Sequence, residues 1–318
     1  MEDDQTNEVQ GMKRQQRLQS TIISSRPQAW RRVFDRIMKG LIALSVALAV
    51  VPLFLVLYDV VASGLPAITL KFFIQNPPGP CSTSQVANGL SSCYGGILNG
   101  IEGSLLMVGL GALIAIPLGV GAGIYFSEWP ESRLSFLSSF TNDVLAEFPT
   151  IVIGLFIYAL IVVEMRTLSA LAGGVALAFV MLPIIARTTE ESLKIVPSTL
   201  REASMALGVP RWKTIFRVVI STGRAGLATG ILLGIARAAG ETAPLIVTAG
   251  YLGFPPPSLF QEAGSIPYIV YNFGTAGYSN WTLVAWGAAL VLVGFMLVLN
   301  LSVKFFILRK HAGVRAEI

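Results

Sequence analysis

Apolar residues fall into six blocks along the chain, parted by segments rich either in charge or in Gly, Pro and Ser. The blocks cover about 37–61, 101–126, 134–163, 168–186, 225–249 and 282–308. Each is close to or beyond the roughly 20 residues that cross a bilayer as a helix. Pro149 falls inside the third block, where a missing donor and a crowded preceding turn predict a break or kink. The pattern predicts an all-α integral membrane protein with six transmembrane helices.

Charge supplies the orientation. Basic residues bias the loops that stay inside. With the N-terminus inside, the inner segments carry eight Lys and Arg up to the start of the first block. Arg133 follows, then seven between blocks four and five, and four at the end. The outer side carries Lys71 and Arg166, and Arg237 lies within a block. Both termini are therefore expected to be cytoplasmic. The composition agrees: 53% of residues are hydrophobic and 13% charged, against about 25% charged in a soluble domain. The net charge of +5 then belongs to inner loops. No basic patch interleaved with aromatics points to nucleic acid.

Residues 1–36 form a polar tail with no signal-peptide core. Trp30, Val33, Phe34 and Ile37 recur at helical spacing beside arginines. This suits either a short interfacial helix from Gln28 or a solvated basic flank. The six-span apolar region then covers 37–308, and 309–318 form a second cytoplasmic tail. Two outer loops, about 62–100 and 250–281, are long and nearly free of Lys and Arg. Cys81 and Cys93 lie in the first, where an oxidising exterior permits a disulfide; two free thiols is the other reading. The single histidine, His311, has no ligand cluster around it, so a histidine-built metal site is excluded, as is any Ser/His/Asp or Cys/His set. Gly119, Gly121 and Gly123 lie inside an apolar block and read as helix packing. No Gly-x4-Gly-Lys-Ser/Thr occurs, so this chain is not itself an ATPase.

The inner loop 188–224 is too patterned for a linker. Thr199 and Glu202 have capping-box spacing, predicting a helix from about Leu200. Gly208 suits the position after its end, and Pro210 stops it. Leu200, Ala203 and Leu207 share one face. A helix of two turns needs a partner surface.

These residues carry a resemblance. Glu202-Ala203-Ser204, Gly208, and the hydrophobics at Phe216 and Val219 resemble the EAA loop of ABC-importer permeases. Ser221 departs from the proline frequent there. Gly95-Gly96-Ile97, Gly103-Ser104-Leu105, Ile116-Pro117-Leu118-Gly119, Pro149 through Phe156, and Arg187 through Glu191 look like phosphate-system permeases. The stretch Ala236-Arg237-Ala238-Ala239-Gly240-Glu241-Thr242-Ala243-Pro244 is similar to PstA-type subunits, whereas PstC-type partners read Gly-Glu-Thr-Met. Glu147 departs from the small residue usual ahead of Pro149; an acid there would pair with a buried arginine or line the path. The resemblance covers about 90–250. It implies a type I ABC importer permease fold in a bacterial inner membrane. It implies a second permease of PstC type, a dimeric cytoplasmic ATPase holding ATP and Mg, and an extracytoplasmic binding protein delivering inorganic phosphate. Leu200, Arg201, Glu202, Ala203, Ser204, Leu207 and Gly208 would form the ATPase-coupling element. This chain itself would bind no cofactor.

Arg237 stands near the middle of an apolar block, where a permanent positive charge costs roughly 2.5–3.5 kcal/mol on insertion scales. Glu241, four residues on, shares its helix face. One reading is a self-neutralised structural pair. The other is an anion site in which the guanidinium fork takes two oxygens of a phosphate and Glu241 holds the fork in between. Pro244 leaves the Gly240 carbonyl without its donor, predicting a helix break. Thr242 and Thr248 would offer hydroxyls to it. Arg187 is a further pathway candidate or a positive-inside anchor. A permease for sulfate, molybdate or phosphonate, an intramembrane enzyme and a non-transporting membrane protein are the alternatives.

Overall fold

Glycine spacing builds the centre of the fold. In the computed structural model, which describes residues 28–256 and 258–314, helix α4 (Leu98–Glu128) packs along helix α7 (Ala170–Lys194). Gly111 faces the carbonyl of Gly174, Gly119 faces Ile185, and Gly123 faces the carbonyl of Ala186. The two helices thus run in the same direction, backbone against backbone, as small residues allow in lipid. Gly121 points away from this seam and meets nothing.

Helix α9 (Arg211–Ala239) runs antiparallel to α7. Its Gly223, Gly226, Gly230 and Gly234 face Leu193, Ser192, Thr188 and Ile185 in turn. One turn of π-helix, Ile215–Val219, lies near its start. Met107, Leu177, Met181, Ile185, Ala238 and Leu245 form the buried core where these helices meet.

The chain divides into two units, one ending at Asp59 and the other beginning at Val60. In the first, the described residues belong to helix α1 (Gln28–Gly64), so the expected interfacial helix and the first span are one unbroken helix. Gly40 alone costs only about 1 kcal/mol in a helix interior and does not stop it. The polar tail up to residue 27 lies outside the described residues, as do 315–318.

In the second unit, α2 (Leu70–Ile74) and α3 (Thr83–Ala87) sit in the first outer loop. Cys81 and Cys93 form a disulfide there, both buried. Asn280 fixes the loop: its amide oxygen accepts from the Cys81 N–H, and its amide nitrogen donates to the carbonyls of Gly79 and Cys93. Trp281 donates to the Pro78 carbonyl at 2.9 Å. These two residues open helix α12 (Ser279–Val314). Helix α11 (Ile266–Thr275) lies in the second outer loop.

The third apolar block is broken at Pro149. Helices α5 (Arg133–Glu147) and α6 (Thr150–Met165) meet at 106°. Phe148 is extended and Pro149 starts α6, because the residue before proline is driven out of the helical region and proline itself suits a helix start. Five helices among the described residues are long and apolar enough to cross a membrane, six if this bent pair counts as one span.

The inner loop is shorter than expected. Helix α7 continues to Lys194 and α9 already begins at Arg211. Helix α8 (Ser198–Ala206) lies between them. The Thr199/Glu202 capping box does not form. Pro197 precedes the helix and no side chain caps it, since proline presets the entry without a hydroxyl. Gly208 follows the end of α8 with φ +80°, a left-handed geometry that glycine takes at no steric cost.

Candidate functional site

The fifth apolar block is broken. Helix α9 ends at Ala239, residues 240–242 are non-helical, and α10 (Ala243–Thr248) begins beyond them. Arg237 therefore lies in the last turn of its helix, not in the middle of one. The register on α7 sets its level. Gly234 faces Ile185, and Ala238 is buried together with Met181. Helix α7 runs from 170 to 194, so its middle is Leu182. Arg237 therefore lies level with the centre of α7, the best-buried spanning helix, and the break lies about one turn further along.

The break has a plain cause. Pro244 sits in the first turn of α10, where its missing N–H is harmless to α10 but leaves the Gly240 carbonyl without a donor. Gly240 has φ −95° and ψ −2°, a turn geometry open to any residue, so a glycine's freedom is not needed.

Arg237 Nε lies 3.5 Å from Glu241 Oε1 across the helix end. The arginine side chain is 55% exposed and the glutamate 15%. The terminal nitrogens of Arg237 have no further partner among the described residues. The pair is loose and leaves most of the guanidinium fork open. Thr242 precedes α10 and its side chain makes no capping bond. Thr248 is not part of the break: its hydroxyl is fully buried and donates to the Pro244 carbonyl at 2.7 Å.

Helix α6 borders the same place. Gly154 packs against Pro244 and Val247, which sets the corner between α5 and α6 alongside the 240–242 break. Glu147, the last residue of α5, is exposed at that corner and makes no ion pair among the described residues. Asn142 of α5 is buried and donates to the Pro183 carbonyl at 3.4 Å. Two broken helices thus converge on one level. Irregular backbone at membrane depth is tolerated where it lines a protected cavity.

Arg187 is held elsewhere. It pairs with Glu190 at 3.3 Å and Glu191 at 3.1 Å, both on its own helix. Lys194 pairs with Glu190 at 2.6 Å. Arg187 stands six residues beyond Met181, about 9 Å along the helix, and no contact joins it to Arg237. Among the described residues no cluster of His, Cys, Asp and Glu could hold a metal.

The residues of α8 divide into two sets. No residue of the helix is buried. Leu200, Glu202, Ala203, Leu207 and Gly208 are exposed, Leu207 to 84%. Arg201 turns inward instead and binds Glu128 at 2.9 Å. Ser204 Oγ lies 2.9 Å from Thr214 Oγ1. Of the seven residues expected to form the coupling element, Arg201 and Ser204 face the bundle. Glu128 was missed outright: it stands just beyond an apolar block, between Ser127 and Trp129, and nothing local marks its charge as buried.

Comparison with known proteins identifies the setting. Residues 115–312 match the family model described as "Binding-protein-dependent transport system inner membrane component". The phosphate transport system permease protein PstA of Pasteurella multocida is 37% identical over 281 residues, covering 88% of this chain and 96% of the relative. PstA of Haemophilus influenzae is 36% identical with the same coverage of each chain. PstA of Yersinia pestis is 36% identical, covering 92% of this chain and 97% of the relative. The fold also matches the MetNI methionine ABC transporter in an inward facing conformation, with a TM-score of 0.57 and 20% identity over 66% of this chain and 94% of the other. The chain belongs to the inner-membrane-component family of binding-protein-dependent transport systems, as a multi-pass permease of the PstA type.

Proposed function

We propose that this chain is the PstA-type subunit of an ATP-driven importer that moves inorganic phosphate into the cell by alternating access. The observation that carries the reading is a single guanidinium with an open fork, standing at a helix break level with the middle of α7. A planar fork matches two phosphate oxygens. The half-exposed side of Arg237 also carries Leu233 and Gly240, a face this chain leaves uncovered. A second permease, of PstC type, would close the pathway there. Glu241 holds the fork between passages, so that the anion displaces a weak partner and is released again.

The exposed residues of α8, namely Leu200, Glu202, Ala203 and Leu207, would dock on a dimeric cytoplasmic ATPase that carries ATP and Mg. The outer loops would receive a phosphate-binding protein. That the relatives are phosphate transport system permeases favours phosphate over other oxyanions. The test is reconstitution of the purified complex in liposomes. Uptake of radiolabelled phosphate should require ATP inside and binding protein outside, and sulfate, molybdate and phosphonate should not compete. Uptake blocked equally by sulfate or molybdate would make it a different oxyanion permease. A chain that purifies alone, without ATPase or second permease, would sink the importer reading.

A further inference from the structure

Helix α8 is joined to the bundle by the Ser204–Thr214 hydroxyl contact and by one buried ion pair. Glu128, the last residue of α4, has a side chain only 4% exposed. Its Oε1 accepts from Arg201 Nε at 3.0 Å and lies 2.9 Å from Nη2 in the ion pair. The same guanidinium donates from Nη2 to the Leu193 carbonyl at 2.9 Å and from Nη1 to the Val196 carbonyl. One side chain of α8 therefore grips both the end of α4 and the last turn of α7. The Glu128 main chain also ties the end of α4 to the start of α9. Its carbonyl accepts from Arg211, whose guanidinium lies 4.7 Å over the Trp129 ring. Trp129 stacks on Tyr125, whose hydroxyl bonds Ser132.

We propose that Arg201 and Glu128 are the positioning pair that makes α8 move as one piece with the α4–α7 helix pair. Movement imposed on α8 from the cytoplasm is thereby carried to the level of the 240–242 break. This rests on the importer reading above. Three observations converge on it. Helices α4 and α7 contact backbone to backbone through Gly111, Gly119 and Gly123, so they slide past each other poorly. Helix α8 buries none of its residues, so apolar packing does not hold it. Its chain links are short, residues 195–197 on one side and 207–210 on the other. Arg201 is 20% exposed and spends its fork inward, so its role is to hold α8 in place and not to touch the ATPase. Lysine would not replace it, since a point charge cannot grip a carboxylate and two carbonyls at fixed angles.

The test uses the full complex in liposomes. Three variants are compared: Arg201→Gln, Glu128→Gln, and the double change Glu128→Leu with Arg201→Met. Co-purified ATPase, ATP hydrolysis and phosphate uptake are read on each. The expected result is normal ATPase recovery, hydrolysis near the unaltered rate, and about a tenfold fall in phosphate moved per ATP, within the usual range of coupling between sites. If the single variants fail to fold, the double change removes both charges together and gives the same readout. ATPase lost from the complex would make Arg201 a direct docking contact and overturn the proposal. Unchanged phosphate per ATP in all folded variants would overturn it as well. Absence of ATPase from the unaltered complex would instead refute the importer reading.

Discussion

Arg237 Nε and Glu241 Oε1 stand 3.5 Å apart, four residues apart in sequence, on the two sides of a helix end. The contact is long for a charge-assisted hydrogen bond, which prefers about 2.7–2.9 Å. It is therefore easily exchanged for an anion. Arg237→Ala should lower phosphate uptake by roughly 10–100-fold, corresponding to loss of hydrogen bonds to a charged group worth about 1.5–3 kcal/mol. ATPase recovery should be unchanged. Glu241→Gln should act in the opposite sense on binding. Removing the competing carboxylate tightens phosphate retention and slows release, so half-saturation and maximal rate fall together. Initial-rate uptake across phosphate concentrations checks both. A Glu241→Gln complex with weaker binding would show that the glutamate assists the anion instead of competing with it.

Pro244 controls the break. Pro244→Ala returns a donor to the Gly240 carbonyl and lets α9 run on into α10. Alanine is favoured over proline by about 3 kcal/mol in a helix interior. The complex should melt no lower than the original, while uptake falls about tenfold, a loss of the size that binding-site disorder produces when coupling is about 1.4 kcal/mol. Melting by intrinsic fluorescence alongside uptake separates the two effects. A drop in melting temperature with uptake intact would show that the break is a structural kink and not a working part.

The sequence and the structure agree where one physical rule dominates. Apolar length against bilayer thickness marks the spans of α4, α7 and α12 to within a few residues at their outer ends, and the charge bias orders their directions. They part where a second rule competes. Residues 211–224 include four basic residues, so hydropathy excludes them from a span, yet nothing in them breaks a helix and α9 begins at Arg211. Proline at 149 was legible, but not the 106° bend, which depends on what α6 packs against. The pair Arg237–Glu241 was legible because its residues are neighbours on one helix. Glu128 with Arg201 was not, because the partners are 73 residues apart and each alone resembles a solvated loop charge. The loose geometry of the first pair and the tight grip of the second are matters of packing, which no local pattern encodes.

The disulfide closes a loop of 12 residues between Cys81 and Cys93. Closing a loop of this size contributes up to about 3 kcal/mol through the unfolded state. Replacing both cysteines by serine should loosen the outer cap without disturbing the bundle, because Asn280 and Trp281 still hold the main chain of residues 78–93. Hydrogen exchange should speed up over residues 76–97 and stay unchanged in α4, α7 and α9. Both sulfurs are buried, so reductant should act on the native protein slowly and after local opening. Rapid reduction in the native state would contradict this packing.

The second outer loop makes a pH prediction. Tyr251 stacks on Tyr268 at 5.3 Å and meets Phe273 edge-on at 5.9 Å. Burial pushes its phenol up to about 12; Tyr268 adds to the effect, and the neighbouring Asn99 amide partly offsets it. An unfolded tyrosine ionises near pH 10. Between those values the folded chain holds a proton that the unfolded chain has released. Stability must then fall as pH rises from 10 to 12, by at most one proton for this residue, and the contribution is fully present below pH 10. Tyr251→Phe removes the titrating group while keeping the ring stack, so its stability should fall less steeply over that range and match the original slope below it. Unfolding of both forms at closely spaced pH values measures the difference. Identical slopes from pH 10 to 12 would mean that the Tyr251 hydroxyl ionises freely in the folded protein, and that the stack with Tyr268 does not shield it.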